Sequence, residues 1–337
     1  MSEYPKGLGD CIVCDMTFPQ SPVGPLYTPD FEGAMDKRVK YGVTFTSLTI
    51  ASDEPSVSDV FQWVAAARRH ILERPEKYIL VERVADIYRA KAENKLAVNL
   101  HFQGSNGLLG DLNLVEAYKT LGVGHMILAY NTRNFAGDGC HEDADGGLSA
   151  FGRTLVEEMN RVRMVVDVSH TSYRTSMEAI EHSSAPVIMS HSNARTVFDH
   201  ERNISDDQAK ACAQSGGVIG INGVGLFLSE ARYDASPQII ARHADYLANL
   251  VGSDHVGLGL DSVDDIPYFL DNFANNNRKK YRKGGYLASK TKTPSFAGPN
   301  IVPLVAAELE TIGWSMTDIE KILGGNWLRV LQTVWGD

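Results

Sequence analysis

The sequence predicts an α/β fold, a single (β/α)8 barrel, and two observations support this prediction. Eight short runs rich in Val, Ile and Leu recur along the 337 residues, and such runs are typical of strands buried on both faces of a parallel sheet. Segments between them have apolar residues spaced three and four apart, the pattern of amphipathic helices. An open doubly wound sheet would normally show a glycine-rich phosphate-binding motif after its first strand, and none is present. Eight strands alternating with helices therefore favour a closed barrel.

The strands are predicted in chain order from these runs. They cover residues 11–16, 43–49, 96–102, 125–130, 164–169, 186–190, 217–222 and 256–260. Ser205 or Asp206 is suited to cap the helix in DDQAKACAQS, and Ser315 or Thr317 the second of two predicted C-terminal helices. No linker or repeat divides the chain, so we expect one domain over residues 1–337.

Charge and composition limit the partners. The net charge of -10 argues against nucleic acid and anionic membranes, which select basic surfaces. The basic cluster at 275–285 is too short to change this, and it predicts a solvated loop. No apolar run approaches the ~18 residues needed to span a membrane, and the N-terminus lacks a signal-peptide stretch. We expect a cytoplasmic protein acting on a small molecule, with a homodimer as the default assembly.

The four cysteines do not indicate a disulfide framework. Cys11 and Cys14 form a C-x-x-C within a predicted strand, where alternation places residues three apart on opposite faces. This spacing makes a poor metal clamp, and we expect buried thiols.

Polar side chains follow six of the eight predicted strands. In barrels of this type the active site lies at the carboxyl ends of the strands. The residues at these positions are Asp15 and Thr17, Gln103, Tyr130 and Asn131, His170, His191, and Asp261.

His170 and His191 are the strongest pair, since each follows an apolar strand and the two strands are neighbours. Imidazoles from adjacent strand ends can reach one zinc ion. The alternative is that one or both are core histidines that donate to backbone carbonyls.

Asp261 ends the string VGLGLD and could bind metal, exchange a proton with water, or cap a helix. Arg202 could clamp a substrate carboxylate or form a surface ion pair. Cys140, His141 and Glu142 lie in a long polar loop, where they could be ligands, a nucleophile or simply solvated.

The chain resembles the membrane dipeptidase (renal dipeptidase-like) family of the amidohydrolase superfamily. The matching strings are GLSAFGRTLVEEMNRVRMVVDVSHTS, APVIMSHSNAR, HERNISDDQ, GGVIGIN, HVGLGLD and NWLRVL, in the family's order. The resemblance implies a (β/α)8 barrel with a binuclear zinc centre that hydrolyses dipeptides. It also implies that His170 and His191 hold the second zinc, that Arg202 holds the substrate's carboxylate, and that Asp261 is the acid/base.

Three departures from the family pattern affect its metal site. The opening motif D-G-H-N-D is replaced by DMTFP, so Thr17 and Pro19 stand where two ligands of the first zinc are expected. Gln103 replaces the bridging glutamate, and Tyr130 replaces a substrate-contacting histidine. A neutral amide bridges two cations poorly, so we expect at most one weakly held Zn²⁺, bound by His170, His191 and the Gln103 oxygen.

Three functions remain open from the sequence. The first is a metal-dependent hydrolase of an amide bond in a small carboxylate-bearing substrate. In it Asp261 moves the proton, Tyr130 donates to the oxyanion, and Arg202, Asn131 and Tyr130 contact the substrate. The second is a degenerate barrel that binds a small metabolite, and the third is isomerase or lyase chemistry in the same pocket.

Overall fold

The computed structural model describes residues 4–53, 56–230, 234–269, 271 and 294–336. Within these ranges the strands are β1 (Cys14–Phe18), β2 (Phe45–Ala51), β3 (Tyr78–Leu80), β4 (Leu96–Phe102), β5 (Val123–Ile127), β6 (Val165–Asp167), β7 (Val187–Ile188), β8 (Ile219–Ile221) and β9 (Val256–Leu258).

Helices separate most of the strands. They are α1 (Phe31–Lys40), α2 (Val57–Leu72), α3 (Val84–Ala92), α4 (Asn113–Thr120), α5 (Ala150–Arg161), α6 (Tyr173–His182), α7 (Asp206–Gln214), α8 (Pro237–Val251), α9 (Ile266–Phe269), α10 (Val302–Thr311), α11 (Met316–Glu320) and α12 (Asn326–Trp335). No helix within the described ranges is both long and apolar enough to cross a membrane.

The parallel sheet closes into a barrel. Its strands pair in the order β1-β2-β4-β5-β6-β7, and β8 pairs with β9. The Gly220 amide donates to the Met189 carbonyl (2.7 Å), which joins β8 to β7, and the Asp261 amide donates to Thr17 (3.1 Å), which joins the end of β9 to β1. The predicted (β/α)8 fold is therefore confirmed.

Each of the eight predicted runs contains a strand, although the strand ends are shifted and one further strand was not predicted. The first strand begins at Cys14 rather than at residue 11, so Cys11 precedes it, although both thiols are buried as expected. Sequence reasoning missed β3, because its three residues are too few to show a period; they pair with the first half of β4. The basic cluster at 275–285 lies outside the described residues.

Two predicted helix caps are present, and each is a serine side chain at the N-terminus of its helix. Ser205 accepts a hydrogen bond from the Gln208 amide, and Ser315 accepts one from the Asp318 amide. The C-terminal part was predicted as two helices and contains three, because a π turn over Lys321–Gly325 interrupts the second at a Gly-Gly pair.

The amino-terminal end of the barrel is closed by α12. The indole of the fully buried Trp327 donates to the Leu258 carbonyl (3.1 Å), and that of Trp335 donates to Gly124 (3.1 Å). Gly257 leaves space for the Trp327 ring, since a Cβ there would lie 2.4 Å from its Nε1 atom. This end is therefore filled with apolar side chains, and the polar side chains gather at the carboxyl ends of the strands.

Gly259 is required where β9 approaches β7. A Cβ at this position would lie 1.8 Å from the Ser190 carbonyl oxygen and 3.2 Å from the Cβ of His191. We predict that Gly259→Ala lowers the free energy of unfolding by about 1–3 kcal/mol, as overpacking does. Gly9→Ala is the matched control, because nothing lies within 4 Å of its Cβ position. Equal unfolding midpoints for the two variants in urea would contradict the close approach.

Candidate active site

Two imidazoles meet at the mouth of the barrel. His170 follows β6 and His191 follows β7, and their Nε2 atoms lie 2.7 Å apart. The Nδ1 atom of His170 contacts Asn131 Oδ1 (2.7 Å), and that of His191 contacts the hydroxyls of Thr17 (3.0 Å) and Ser190 (2.7 Å). The outer nitrogen of each ring is thus held by an oxygen, which directs both Nε2 atoms inward.

Both histidines are held in the neutral form. Burial, followed by the positive charge of Arg202, lowers the pKa of His170 and of His191 well below the ordinary value. A neutral imidazole whose other nitrogen is anchored to an oxygen is the usual arrangement of a metal-binding histidine. Orientation and charge therefore suit the pair to ligation.

The ligand set for a metal ion is incomplete. Zinc binds histidine nitrogen at about 2.0–2.1 Å, so two tetrahedral ligand nitrogens lie about 3.3 Å apart, farther than the 2.7 Å between these Nε2 atoms. In the described part of the chain, no three His, Cys, Asp or Glu side chains converge to hold a metal. The two imidazoles fit one divalent ion, and they need a further ligand of another kind, such as an amide oxygen or water.

Three site residues have left-handed backbone conformations. Asn131, His170 and Asp261 have φ values of 62°, 64° and 55°. This region is uncommon for residues other than glycine, although Asn, Asp and His adopt it more readily than most. Strained backbone clusters at functional sites, where the surrounding structure must stabilise it.

Tyr130 and Asn131 lie beside His170. The Tyr130 ring stacks on the His170 ring, with centroids 4.2 Å apart. The backbone amide of Tyr130 donates to Asp53 Oδ2 (2.9 Å), which fixes the strand end. The Nδ2 group of Asn131 is buried with no hydrogen-bond partner in the described structure, so it is a donor available to a ligand.

Arg202 is a buried cation. The residue is 3% exposed, and one terminal nitrogen donates to the His191 carbonyl (3.1 Å). Its Nε atom is buried without a hydrogen-bond partner among the described residues. Leaving such a donor unpaired costs free energy that an incoming anion can recover. A surface ion pair, the alternative considered above, does not describe this residue.

Asp261 is a half-buried carboxyl group that accepts a hydrogen bond from Asn222 Nδ2 (3.2 Å). Burial raises its pKa to about 6; Arg202 and Asn222 oppose the shift, and Asp15 adds to it. The residue does not cap a helix, because the next helix begins at Ile266. A carboxyl group with this pKa can both accept and return a proton near neutral pH.

Gln103 follows β4, and its amide nitrogen donates to Thr49 Oγ1 (3.1 Å).

Asp15 is fully buried, and its Oδ1 accepts from the Leu260 amide (2.8 Å). The guanidinium of the fully buried Arg38 lies 3.9 Å from Asp15 Oδ2 and stacks over Phe18. Asp15 therefore acts with Arg38 as a buried pair that links the ends of β1 and β9.

The three candidates in the polar loop have different surroundings. Cys140 lies next to His170, since its backbone amide donates to the His170 carbonyl (2.9 Å), and burial raises its thiol pKa to about 12. A thiol that stays protonated is a poor ligand and nucleophile. His141 Nδ1 contacts Glu201 (2.6 Å), and Glu142 accepts from the Arg133 amide (2.7 Å).

Several residues that position the site were missed from the sequence. Thr17 was considered only as a lost ligand, whereas its hydroxyl contacts the ring of His191. Ser190 and Asn222 were not considered, although they contact His191 and Asp261. The signal available was their place beside the predicted strand ends, in MSHS and GVIGIN.

Comparisons with known proteins agree with the fold. The model of the family "Membrane dipeptidase (Peptidase family M19)" matches residues 37–282. An uncharacterised protein of Klebsiella pneumoniae, from the pqqA 5′ region, is 30% identical over 285 residues, covering 82% of this chain and 96% of that protein. Dipeptidase tcpJ of Claviceps purpurea is 30% identical over 281 residues, and the alignment covers 83% of this chain and 60% of that protein.

Among solved structures, an amidohydrolase from Pseudomonas aeruginosa is similar over 98% of both chains, with 29% identity and a TM-score of 0.84. The chain spans about three fifths of the length of some curated relatives, including an uncharacterised dipeptidase of Schizosaccharomyces pombe, of which it covers 63%. The match to the family model extends over more than half of the chain. The chain therefore belongs to the membrane dipeptidase family, peptidase family M19.

Proposed function

We propose that the protein is a metal-dependent hydrolase that cleaves an amide bond in a small substrate bearing a carboxylate, such as a dipeptide or an N-acyl amino acid. One observation carries the proposal: the buried, unpaired Nε of Arg202 lies at the mouth where His170 and His191 meet. Several curated relatives are named dipeptidases, including tcpJ of Claviceps purpurea. This agrees with an amide substrate that carries a carboxylate.

Arg202 holds the substrate carboxylate in this proposal. The guanidinium presents donors in a rigid fork that matches the two carboxylate oxygens. One terminal nitrogen is already fixed on the His191 carbonyl, so the side chain is ordered before substrate arrives. Substrate binding then replaces an unpaired buried donor with a charge-assisted hydrogen bond, while the Nδ2 group of Asn131 offers a second, neutral donor.

Asp261 transfers the proton in this proposal, and Tyr130 stabilises the negative charge that develops on the carbonyl oxygen. Asp261, with a pKa of about 6, is largely ionised at neutral pH, where it accepts a proton from water and returns it to the leaving amine. Tyr130 donates its phenolic hydrogen to the carbonyl oxygen as charge develops there. The ring is held for this task by its stacking on His170.

His170 and His191 would hold one divalent metal, completed by the Gln103 oxygen and water. A metal ion there would polarise the scissile carbonyl and lower the pKa of water. Thr17 and Pro19 supply no carboxylate or imidazole, so the proposal includes at most one tightly bound metal per chain.

A second function, a barrel that binds a small carboxylate metabolite without catalysis, has one observation in its favour. This is the lack of a third His, Cys, Asp or Glu ligand among the described residues. An experiment can distinguish the two functions. If no dipeptide or N-acyl amino acid is cleaved with Zn²⁺, Mn²⁺ or Co²⁺, while a small carboxylate binds the metal-free protein through Arg202, the hydrolase is excluded.

His170→Ala should lose metal and activity together, because it removes one of two imidazole ligands. Asp261→Asn should keep the metal and lower kcat about 100- to 10,000-fold, because its carboxyl group transfers a proton in the transition state. Metal content by elemental analysis and steady-state kinetics check both variants. A His170→Ala protein that keeps stoichiometric metal and full kcat would contradict the assignment.

Arg202→Lys should mainly raise KM, because lysine keeps the charge but loses the two-pronged hydrogen bonding to a carboxylate. The matched control is Arg195→Lys, because Arg195 lies in the same loop region and donates to backbone carbonyls of His200 and Glu201. Substrates lacking the carboxylate should not distinguish wild type from Arg202→Lys. An unchanged KM for carboxylate substrates in this variant would exclude the clamp.

The raised pKa of Asp261 predicts a pH-dependent cost to stability in the metal-free protein. The folded state binds this proton more tightly than the unfolded chain, so its contribution to stability is full below about pH 4 and is lost as pH rises through about 6. Between pH 4 and 7, wild type should lose up to roughly 3 kcal/mol relative to Asp261→Asn. Urea unfolding in the presence of a chelator measures the difference. A constant difference across this pH range would show that the pKa is not raised.

A further inference from the structure

The backbone of Asp261 has a left-handed conformation that its own sequence does not favour. Its φ is 55°, in a region that residues other than glycine seldom adopt. β9 ends at Leu258 and the next helix begins at Ile266, so Asp261 lies in a described segment without regular secondary structure. Such a conformation persists only where the surrounding contacts impose it. Those contacts therefore determine where the carboxyl group of Asp261 points.

Asp15 holds the residue that precedes Asp261. The Oδ1 atom of Asp15 accepts a hydrogen bond from the Leu260 amide (2.8 Å) and a longer one from the Thr17 amide (3.4 Å). The Asp261 amide donates in turn to the Thr17 carbonyl (3.1 Å). Asp15 and Thr17 both belong to β1. Two consecutive amides, those of Leu260 and Asp261, are therefore fixed on the first strand.

Arg38 holds the residue that follows Asp261. It extends from α1, and its Nη2 atom donates to the hydroxyl oxygen of Ser262 (2.7 Å). Arg38 is fully buried and Ser262 is 1% exposed. Because both groups are withdrawn from water, this charge-assisted hydrogen bond has no solvent competitor and is stronger than one at the surface.

The guanidinium of Arg38 is fixed independently of Ser262. Its Nη1 atom donates to the Ala34 carbonyl (3.1 Å), one turn earlier in α1, and its Cζ atom lies over the Phe18 ring, 3.2 Å from the centroid. Its Nη2 atom also lies 3.9 Å from Asp15 Oδ2, within the range of a buried ion pair. The cation is therefore already ordered when it contacts Ser262.

We propose that Arg38 and Asp15 are positioning residues that set the direction of the Asp261 carboxyl group. The two side chains form one ion pair, and each of them holds one of the two residues next to Asp261 in the chain. Asn222 Nδ2 donates to the carboxyl group itself (3.2 Å). The functional consequence rests on the proposed function: a group that transfers a proton must lie within hydrogen-bond reach of its partner. A displacement of about 1 Å can lower the rate about 100-fold.

Ser262→Ala removes the acceptor of the Arg38 hydrogen bond and leaves Asp261 itself unchanged. We expect kcat to fall about 10- to 100-fold, with KM and metal content unchanged, because only the proton-transfer group is displaced. Ser176→Ala is the matched control. Ser176 is also fully buried, and its hydroxyl accepts from Gln208 Nε2 (2.7 Å), so this variant likewise leaves a buried donor unpaired. It lies in α6 and should keep the wild-type kcat.

A double-mutant cycle distinguishes positioning from a general loss of structure. In the Asp261→Asn background, Ser262→Ala should have almost no further effect on kcat, because the positioned group no longer transfers a proton. A purely structural effect would lower kcat by the same factor in both backgrounds. Equal factors in the two backgrounds, or an unchanged kcat in Ser262→Ala alone, would overturn the proposal.

Asp15→Asn combined with Arg38→Met removes the ion pair itself. Asparagine keeps an amide oxygen as acceptor, and removing both charges together avoids leaving one of them buried and unpaired. This variant should lower kcat by about the same factor as Ser262→Ala. Lys37→Met is its control, because Lys37 is next to Arg38 in α1 and pairs with Asp264 (2.8 Å) at a partly exposed position. If the combined variant does not fold, the cycle with Ser262→Ala still decides.

Crystal structures of the metal-free variants test the placement without any substrate. In Ser262→Ala the distance from Asp261 Oδ2 to Asn222 Nδ2 should lengthen beyond hydrogen-bond distance, whereas in Ser176→Ala it should stay near 3.2 Å. If no substrate is cleaved but the carboxyl group moves in this way, only the proposed hydrolase fails. If the carboxyl group stays in place in Ser262→Ala, the positioning role is overturned, whether or not a substrate is cleaved.

Discussion

The contact between His170 and His191 depends on how the barrel closes, and most of the site depends on that contact. The two rings meet because β6 and β7 are adjacent parallel strands that end at the same level. Gly259 keeps β9 close to the Ser190 carbonyl next to His191, and the Asp261 amide joins that strand end to Thr17. The same hydrogen bond that closes the barrel therefore brings Asp261 and the hydroxyl of Thr17 toward the histidine pair.

Two buried arginines, Arg202 and Arg38, determine much of the charge near the barrel mouth. Burial is the main cause of the lowered pKa of both histidines, and Arg202 adds to it. Arg202 also partly offsets the raised pKa of Asp261, so one buried cation acts on all three groups. Asp15 is paired with the fully buried Arg38. A site with two buried guanidinium groups and one neutral amide at position 103 has less negative charge to attract a second divalent cation. The low negative charge agrees with the role of Thr17, which is a hydrogen-bond partner of His191.

The sequence predicted the parts of the structure that depend on local pattern. The alternation of apolar runs with amphipathic segments was enough to predict the barrel. The polar residues after six of the eight runs were enough to predict that His170, His191 and Asp261 lie at one mouth. β3 was missed because three residues show no period, and the π turn at Lys321–Gly325 lies within a helical pattern. Contacts such as that of Thr17 with His191, 174 residues apart, depend on barrel register and had no local signal.

We expect at most one divalent ion to bind between His170 and His191. Anomalous diffraction at the zinc absorption edge, from crystals of the zinc-loaded protein, tests it directly. We expect a single strong peak within coordination distance of both Nε2 atoms, with the two Nε2 atoms slightly farther apart than 2.7 Å. Two peaks at the barrel mouth would contradict it, and so would a zinc ion bound there without either histidine.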